Sequence, residues 1–427
     1  LIDIAQIGER TYPTLQDAIE AVKNERETIK ILRNVTYTNQ DLDILIPKTK
    51  SIILDLNGYK INSALLEKVI QNEGILEIID TSENKTGVII TSEETTIKNL
   101  EGAKLILSGG TIENRTKQSI YNGGEVVIQG GVVSNNNNYG IYNVDNGTVI
   151  INGGTINSKY GIYNENSGTI EVTKGIVNSQ YGIYNKSSGM VKITGGTVKG
   201  DSYGIYNKNN GTIEVEEGII NSEDYGIYNK SDGMVKVTGG TVSCTIGYGS
   251  IYGIYNNSNG SIIIGTKGDE IVSQEIPYIQ GGYTGTSTLY KGCGIYNSEG
   301  NLYFYDGKIQ GTQDAISGNI TEIEDSTEII ISQETIDNKS YKTITLNQVT
   351  TNVARVNGYE YNSITKAIQA CGKIKSTIEI LRDSNLGTTT IIEENQNITI
   401  DLKGYTINNY TELQNNGTLK IVDTSTE

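Results

Sequence analysis

The pentapeptide Tyr-Gly-Ile-Tyr-Asn recurs through the middle of this 427-residue chain. It begins at Tyr139, Tyr160, Tyr181, Tyr203, Tyr225 and Tyr252, with a variant at Cys293 and a shorter Ser-Ile-Tyr-Asn at Ser119. As far as Tyr228, the second tyrosine returns every 21 or 22 residues. Such a short and regular period predicts a repeat architecture in which each unit packs only on its neighbours.

Each period holds two more segments in which apolar and polar residues alternate, for example TIEV at 169–172 and GGTVK at 195–199. Alternation bounded by Gly, Asn or Ser is typical of short strands between turns. Three strands in about 21 residues form one coil of a parallel β-solenoid. We therefore predict an all-β fold, with regular coils over about residues 100–300.

Two intervals between the tyrosines are longer than the rest. Tyr228 and Tyr255 are 27 residues apart, and Tyr255 and Tyr296 are 41 apart. We interpret the first interval as a coil with an inserted loop near residues 244–250. The second we interpret as two coils, one of which has lost the motif.

Within the pentapeptide, alternation predicts that Ile points into the core and that the preceding Gly and the following Tyr point outward. The Gly would then leave room beside each ring for a partner to approach. Outward tyrosines either stack and shield the backbone or bind a ligand, because exposed aromatic patches often mark contact sites. The predicted ligand-binding residues are Tyr142, Tyr163, Tyr184, Tyr206, Tyr228, Tyr255 and Tyr296, with Tyr121 opening the column.

The final Asn of each motif is predicted to point inward at a corner of the coil. Stacked amide side chains there can hydrogen-bond to one another and to turn amides, so we assign them a structural role. This predicted ladder comprises Asn143, Asn164, Asn185, Asn207, Asn229 and Asn256, flanked by Asn122 and Asn297.

Charges also recur with the period. Glu171, Lys192, Glu214 and Lys236 occupy equivalent outward positions in successive coils. Opposite charges would then follow one another about 4.8 Å apart up one face. Because an exposed ion pair contributes at most about 1 kcal/mol, we expect this series to specify register more than stability.

The two ends of the chain resemble each other. TYPTLQDAIEAVKN has helical spacing and predicts a short helix near 14–23 that caps the open end of the solenoid. TIKILRN at 28–34 returns as TIEILRD at 377–383, and a second candidate helix starts at Ser363. We therefore predict one module over 1–346 and the start of a second, truncated module over 347–427.

Composition excludes several function classes. The net charge of -16 argues against nucleic acid and against an anionic membrane surface. Without His, and with three Cys, the chain offers no zinc-type cluster, so we expect no metal and no cofactor. No apolar stretch is long enough to insert into a membrane.

The coils, inward aliphatic residues and Asn column resemble the right-handed parallel β-helix of pectate-lyase-like proteins. The opening segments TYPTLQDAIEAV, IILDLNGYKI and EGILEIIDTS are similar to β-helix modules of Gram-positive surface proteins and adhesins. Enzymes of this fold use a Gly-His-Gly motif, or an Arg base beside an acidic cluster. The chain has no His, and Arg115, the one Arg of the coil region, has no such cluster in adjacent coils.

The resemblance implies a secreted, extracellular cell-surface protein. We expect a non-enzymatic structural or adhesive module of a long stalk or fibre, with no catalytic residues. Its partners would be a glycan, a surface protein of a host or neighbouring cell, or further copies in a fibre. A polysaccharide lyase or hydrolase and a trimeric phage tail fibre or spike are the alternatives. Whether Cys244 and Cys293 pair is left open.

Overall fold

The computed structural model describes residues 2–38, 44–63, 68–244, 251–268, 277–282, 292–325, 327–336, 339–348, 352–386, 390–408 and 412–425. Within these ranges the chain is an all-β solenoid with two short helices. Contacts divide it into two compact units, one of residues 1–324 and 329–346 and one of residues 325–328 and 347–427. Neither helix of the described chain is long or apolar enough to cross a bilayer.

The first unit opens with a cap. Strands Ala5–Ile7 and Arg10–Tyr12 form an antiparallel hairpin, followed by the helix Leu15–Ala21. Thr14 caps this helix, because its hydroxyl accepts a hydrogen bond from the Asp17 amide at 3.0 Å. The apolar face of the helix joins the solenoid core, which confirms the predicted capping helix. The helix ends before residue 23, because Val22 has left helical geometry at φ -57° and ψ 124°.

Three parallel sheets build the coils, and equivalent residues of successive coils lie directly in register. In the middle of the unit, strands run through more than one sheet. These long strands are Val132–Asn143, Thr148–Asn164, Thr169–Asn185, Met190–Asn207 and Thr212–Ser222.

The remaining strands belong to one sheet each. The first sheet adds Glu27–Ile31, Ser51–Asp55, Ile75–Ile79, Lys104–Leu107, Glu125–Ile128, Met234–Val237, Ser261–Ile264, Leu302–Phe304 and Glu322–Ile323. The second adds Val35–Tyr37, Lys60–Ser63, Val88–Thr91, Thr111–Asn114, Thr241–Cys244, Tyr278–Gly281 and Lys308–Gly311. The third adds Ile44–Ile46, Lys68–Asn72, Thr95–Asn99, Gln118–Asn122, Tyr225–Asn229, Tyr252–Asn256, Cys293–Asn297 and Asp314–Ser317.

Aliphatic columns fill the interior as alternation predicts. Ile162 pairs with Ile183, and Ile170 and Val172 of the first sheet are likewise fully buried. Burying each such side chain contributes roughly 1.5–3 kcal/mol to folding, before the entropy of ordering the chain is subtracted. The confirmed period therefore stacks apolar residues about 21 apart in sequence into a continuous core.

The interpretation of the 41-residue interval is wrong. Tyr255 pairs directly with Tyr296, and Asn256 with Asn297, so one coil and not two separates these residues. Parallel pairing constrains only the position of the two paired strands. The connection between them can therefore lengthen without adding another coil. Residues 269–276 and 283–291 of this interval, and 245–250 of the other long interval, lie outside the described residues.

The late strands of the first unit change direction. Lys339–Gln348 pairs antiparallel with Lys308–Gly311, with Ile344 opposite Ile309. The last second-sheet strand of the coils is thus paired along its outer edge, which removes a row of open backbone groups. The strand Thr327–Ile336 precedes it.

The second unit repeats the opening of the first. Ala354–Val356 and Tyr359–Tyr361 form an antiparallel hairpin, and Ser363 caps the helix Ile364–Ala370. The parallel pairs that follow comprise Ser376–Ile380, Asn397–Asp401 and Thr418–Val422, then Ser384–Asn385 with Ile407–Asn408, then Thr390–Ile392 with Leu413–Asn415. Its own apolar core includes Ile378 and Ile398.

Candidate functional site

Two tyrosine columns, not one, cover a side of the first unit. The strand column holds the second tyrosine of each motif: Tyr121, Tyr142, Tyr163, Tyr184, Tyr206, Tyr228, Tyr255 and Tyr296. The corner column holds the first: Tyr139, Tyr160, Tyr181, Tyr203, Tyr225 and Tyr252. All are partly exposed except Tyr206, which is 8% exposed. We call the two columns together the tyrosine surface.

The corner column was missed because alternation alone would point its tyrosines inward. The register pairs Tyr160 with Tyr181 and Ile162 with Ile183. On Gly161, which lies between Tyr160 and Ile162, a side chain would point into the coil. A Cβ on Gly161 would lie 2.4 Å from the Gly182 carbonyl oxygen and 2.6 Å from Cγ1 of the core residue Val177. The prediction that this glycine faces outward is therefore wrong. The signal was the first tyrosine itself, which recurs as regularly as the second.

The rings of the tyrosine surface touch one another without a break from Tyr121 to Tyr296. In the corner column Tyr160 stacks on Tyr181 with centroids 4.6 Å apart and planes within 12°. In the strand column Tyr163 stacks on Tyr184 at 4.9 Å and 12°. Contacts also cross between the columns, such as Tyr203 with Tyr206 at 5.1 Å. Each aromatic pair adds about 0.5–1.5 kcal/mol beyond area burial.

Stacking determines what a ligand would meet. In the parallel pairs, neighbouring rings cover each other's faces, so ring edges and hydroxyls remain for contact. A platform on which sugar rings stack needs open faces instead. The arrangement therefore favours contacts through hydroxyl hydrogen bonds and ring edges.

Burial keeps the phenols neutral. Burial, together with the nearby Glu165 carboxylate, raises the pKa of Tyr142 to about 12. Burial and neighbouring tyrosines raise the pKa of Tyr225 to about 12 as well. Burial is also the main reason why the pKa values of Tyr163 and Tyr184 are raised. These hydroxyls therefore stay protonated, and able to donate hydrogen bonds, to a higher pH than that of a free tyrosine.

Charged and polar groups border the tyrosine surface. Tyr142 donates its hydroxyl proton to Glu165 at 3.1 Å, and Lys186 forms an ion pair with the same carboxylate. Lys98 lies over the ring of Tyr121 at 5.5 Å. The structure also has a shallow groove of ≈ 480 Å³, and two of its lining residues, Lys159 and Gln180, directly precede Tyr160 and Tyr181 in sequence. The groove is lined by Asn136, Asn157, Ser158, Lys159, Asn178, Ser179, Gln180 and Asp201.

The asparagines form an unbroken ladder of buried hydrogen bonds. In each step Nδ2 of one Asn donates to Oδ1 of the Asn in the next coil, for example Asn164 to Asn185 at 2.9 Å. The ladder runs through Asn72, Asn99, Asn122, Asn143, Asn164, Asn185, Asn207, Asn229, Asn256 and Asn297. Asn72 and Asn99 were missed, although both close an Ile-x-Asn triplet like the others.

The ladder also explains a recurring glycine. The second Nδ2 proton of Asn164 goes to the Gly168 carbonyl at 2.8 Å, so the turn closes against the amide. A Cβ on Gly168 would lie 2.3 Å from Nδ2 of Asn143. In the coils from Asn143 to Asn256, the fourth residue after the ladder asparagine is therefore Gly, because the ladder amides leave no room there for a side chain.

The charge series keeps its predicted register but not its predicted pairing. Glu171, Lys192, Glu214 and Lys236 are aligned in neighbouring strands. The Lys192 ammonium, however, pairs with Glu216 at 2.8 Å, and this contact raises the pKa of Lys192. A long side chain reaches beyond its own row when a second carboxylate offers better geometry.

Aspartates at the start of each unit form turns that the sequence comparison did not assign. Asp55 accepts hydrogen bonds from the Asn57 and Thr81 amides, both at 2.9 Å. Asp401 receives the matching bond from the Thr424 amide at 2.9 Å. Although burial opposes it, hydrogen bonding from Thr424 lowers the pKa of Asp401 to about 2. The repeated texts DLNGY and DLKGY therefore encode the same turn.

The residues considered for catalysis and cross-linking are not brought together. Arg115 pairs with Glu113 at 3.2 Å. Over the described residues, no group of three or more His, Cys, Asp or Glu side chains could hold a metal ion. Cys244 and Cys293 are both free and buried, and Cys244 donates to the Glu223 carbonyl at 2.9 Å.

Comparison with protein-family models, with curated proteins and with solved structures gave no match. The geometry of the tyrosine surface and of the asparagine ladder is therefore what supports a function for this chain.

Proposed function

We propose that this chain is a non-enzymatic, extracellular β-solenoid, a structural and adhesive module of a long stalk or fibre on a cell surface. The tyrosine surface is its contact face for a glycan or a surface protein. The observation that carries this proposal is the strand column, whose rings touch without a break from Tyr121 to Tyr296 and are partly exposed except at Tyr206, with the corner column beside it.

The interior supports the structural half of the proposal. A continuous aliphatic core packs coil on coil through the first unit, and the asparagine ladder joins the coils from Asn72 to Asn297. The helix Leu15–Ala21 covers the first coils, as solenoids require. The second unit repeats this opening, which suits tandem modules like those of the Gram-positive surface proteins and pectate-lyase-like folds that the sequence resembles.

The composition of the surface supports the adhesive half. Tyrosine is enriched at protein interfaces because one rigid ring supplies both apolar area and a hydroxyl. Here each ring is held by its neighbours, so little side-chain entropy is lost on binding. The hydroxyls, and the polar groove whose lining includes Lys159 and Gln180 next to Tyr160 and Tyr181 in sequence, match the hydrogen-bonding groups of a glycan or of a polar protein surface.

A binding screen with matched variants tests this function. The chain is applied to a glycan array and to immobilised cell-surface extract, beside the variant Tyr160→Phe/Tyr181→Phe/Tyr203→Phe, which keeps the rings and removes the hydroxyls. We expect at least about a tenfold loss of affinity for the bound ligand, as hot-spot contacts produce. The control Glu171→Gln/Glu214→Gln changes the first sheet and should bind like the parent.

Three results would contradict the proposal. Equal binding by the parent and the tyrosine variant would remove the tyrosine surface as the contact face. Cleavage of an acidic polysaccharide by the parent would support a lyase or hydrolase instead. A trimer in light scattering, with no ligand bound, would support a phage fibre or spike.

A further inference from the structure

We propose that the tyrosine surface is a site of oxidative cross-linking, where stacked tyrosines of successive coils couple into dityrosine under a haem-peroxidase type of one-electron oxidant. The pairs Tyr160 with Tyr181 and Tyr163 with Tyr184 are the first candidates. This inference does not depend on a ligand for the same surface, since it concerns covalent chemistry between residues of one chain.

The geometry brings like atoms together. Four contacts are close to parallel: Tyr142 with Tyr163, Tyr160 with Tyr181, Tyr163 with Tyr184 and Tyr255 with Tyr296, at 4.6–5.4 Å and 11–14°. In register, equivalent rings leave equivalent backbone positions in the same direction. The carbons ortho to the two hydroxyls therefore lie on facing rings, and coupling requires the two rings to turn their edges toward each other.

The chain offers an oxidant few other targets. It contains no Trp and no His, and only two Met. All three cysteines are free and buried. Burial raises the pKa of Cys293 to about 11 and raises that of Cys244 and Cys371, so the reactive thiolate is scarce. Partly exposed tyrosines are thus the main oxidisable groups that a reagent in solution reaches.

Continuity of the ring contacts makes coupling efficient. Every ring of the strand column lies within 6.0 Å, centroid to centroid, of the next. A phenoxyl radical formed on one ring can therefore exchange with its neighbours. Two oxidations anywhere on the surface then meet at an adjacent pair.

The reaction balances with peroxide as the final acceptor. Each of two phenols gives one electron to the ferryl haem and one proton to solvent, forming two phenoxyl radicals. Their ortho carbons form one carbon–carbon bond, and the two ring protons shift to the oxygens to restore both phenols. Two hydrogen atoms leave the protein, and one hydrogen peroxide becomes two waters.

The product would bind coils covalently. Tyr160 and Tyr181 lie one coil apart, so the bond closes a short loop in the unfolded chain, as a disulfide does. No disulfide is formed by the three cysteines of this chain. We expect the oxidised protein to unfold at a higher temperature than the untreated protein.

The test oxidises the full chain with a haem peroxidase and limiting hydrogen peroxide. Dityrosine fluorescence gives the yield, and trypsin should release peptides 160–174 and 175–186 joined with the loss of two hydrogens, since Lys159, Lys174 and Lys186 flank them. Because proximity replaces a bimolecular encounter, we expect about tenfold more intramolecular product in folded than in urea-unfolded protein.

Phenylalanine variants make the result specific. Tyr160→Phe/Tyr163→Phe keeps the stacked rings but should abolish the link between the two peptides. Tyr359→Phe, which alters a tyrosine 71% exposed in the second unit, should leave the yield unchanged. Links that form mainly between molecules through Tyr359, equal yields in folded and unfolded protein, or a link that survives Tyr160→Phe/Tyr163→Phe would each overturn the proposal.

Discussion

At the level of single residues, each ladder asparagine hydrogen-bonds to the coils on both sides of it. Asn185 accepts from Asn164 and donates to Asn207 and to the Gly189 carbonyl, at 2.8–2.9 Å. Removing one partner from a buried hydrogen bond costs more than the bond contributes, because the remaining group stays without water. Each rung is therefore sensitive to substitution although it adds little net stability by itself.

We expect Asn185→Ala to destabilise the first unit by about 3 kcal/mol, since it leaves the buried Asn164 amide and Asn207 oxygen without their partners. Urea unfolding followed by circular dichroism measures the shift. Asn178→Ala is the matched control, because Asn178 lies in the same coil on the outer face and is exposed. Its effect should stay within about 0.5 kcal/mol. Equal shifts for the two variants would contradict a structural ladder.

At the level of strands and columns, the tyrosine surface links stability to pH. Its rings hold one another in stacked and edge contacts, and burial raises several of their pKa values. An ionised phenol would place negative charge beside neighbouring rings and beside Glu165. Folding therefore favours the protonated column.

This linkage predicts loss of stability in alkali. Below pH 10 the phenols are protonated in both states, so their contribution is fully present. Between pH 10 and about 12 the unfolded chain releases protons that Tyr142 and Tyr225 retain when folded, so stability falls as pH rises. We expect the last part of the rise in tyrosinate absorbance to coincide with the loss of circular dichroism. Tyr142→Phe/Tyr225→Phe should weaken the fall of stability with pH, and an unchanged fall in that variant would contradict the linkage.

At the scale of the whole molecule, the described residues form two cores with no residue in common. Ile162 belongs to the first and Ile378 to the second, and both are 0% exposed. Their coils are built from the same kinds of strand, so truncating either leaves a comparable cavity in a comparable setting.

We expect Ile162→Ala and Ile378→Ala each to cost about 3 kcal/mol, and each to act on its own unit. Hydrogen–deuterium exchange resolved by peptide separates the two responses. Peptides from 132–229 should lose protection only with Ile162→Ala, and peptides from 354–401 only with Ile378→Ala. Loss of protection in both regions from either variant would show that the two cores unfold as one.

The sequence by itself determined the parallel solenoid, its period, the buried Ile columns and the capping helix Leu15–Ala21. These features follow from the alternation of apolar and polar residues within each strand and from its repetition about every 21 residues. Both patterns are local, and stacking the coils repeats the same arrangement. The positions of the ladder asparagines follow in the same way from their place two residues after each buried Ile.

Only the tertiary structure decided how a coil turns its corner and what lies across from each residue. Gly161 faces inward, and Tyr160 outward, because the next coil's carbonyl and Val177 occupy the space that a side chain would need. Three other contacts likewise depend on a neighbouring coil or turn. Tyr255 pairs with Tyr296, 41 residues later, Lys192 forms an ion pair with Glu216, and Asp55 accepts a hydrogen bond from the Thr81 amide. Each outcome depends on atoms of a neighbouring coil or turn, whose position a pattern read along one strand does not contain.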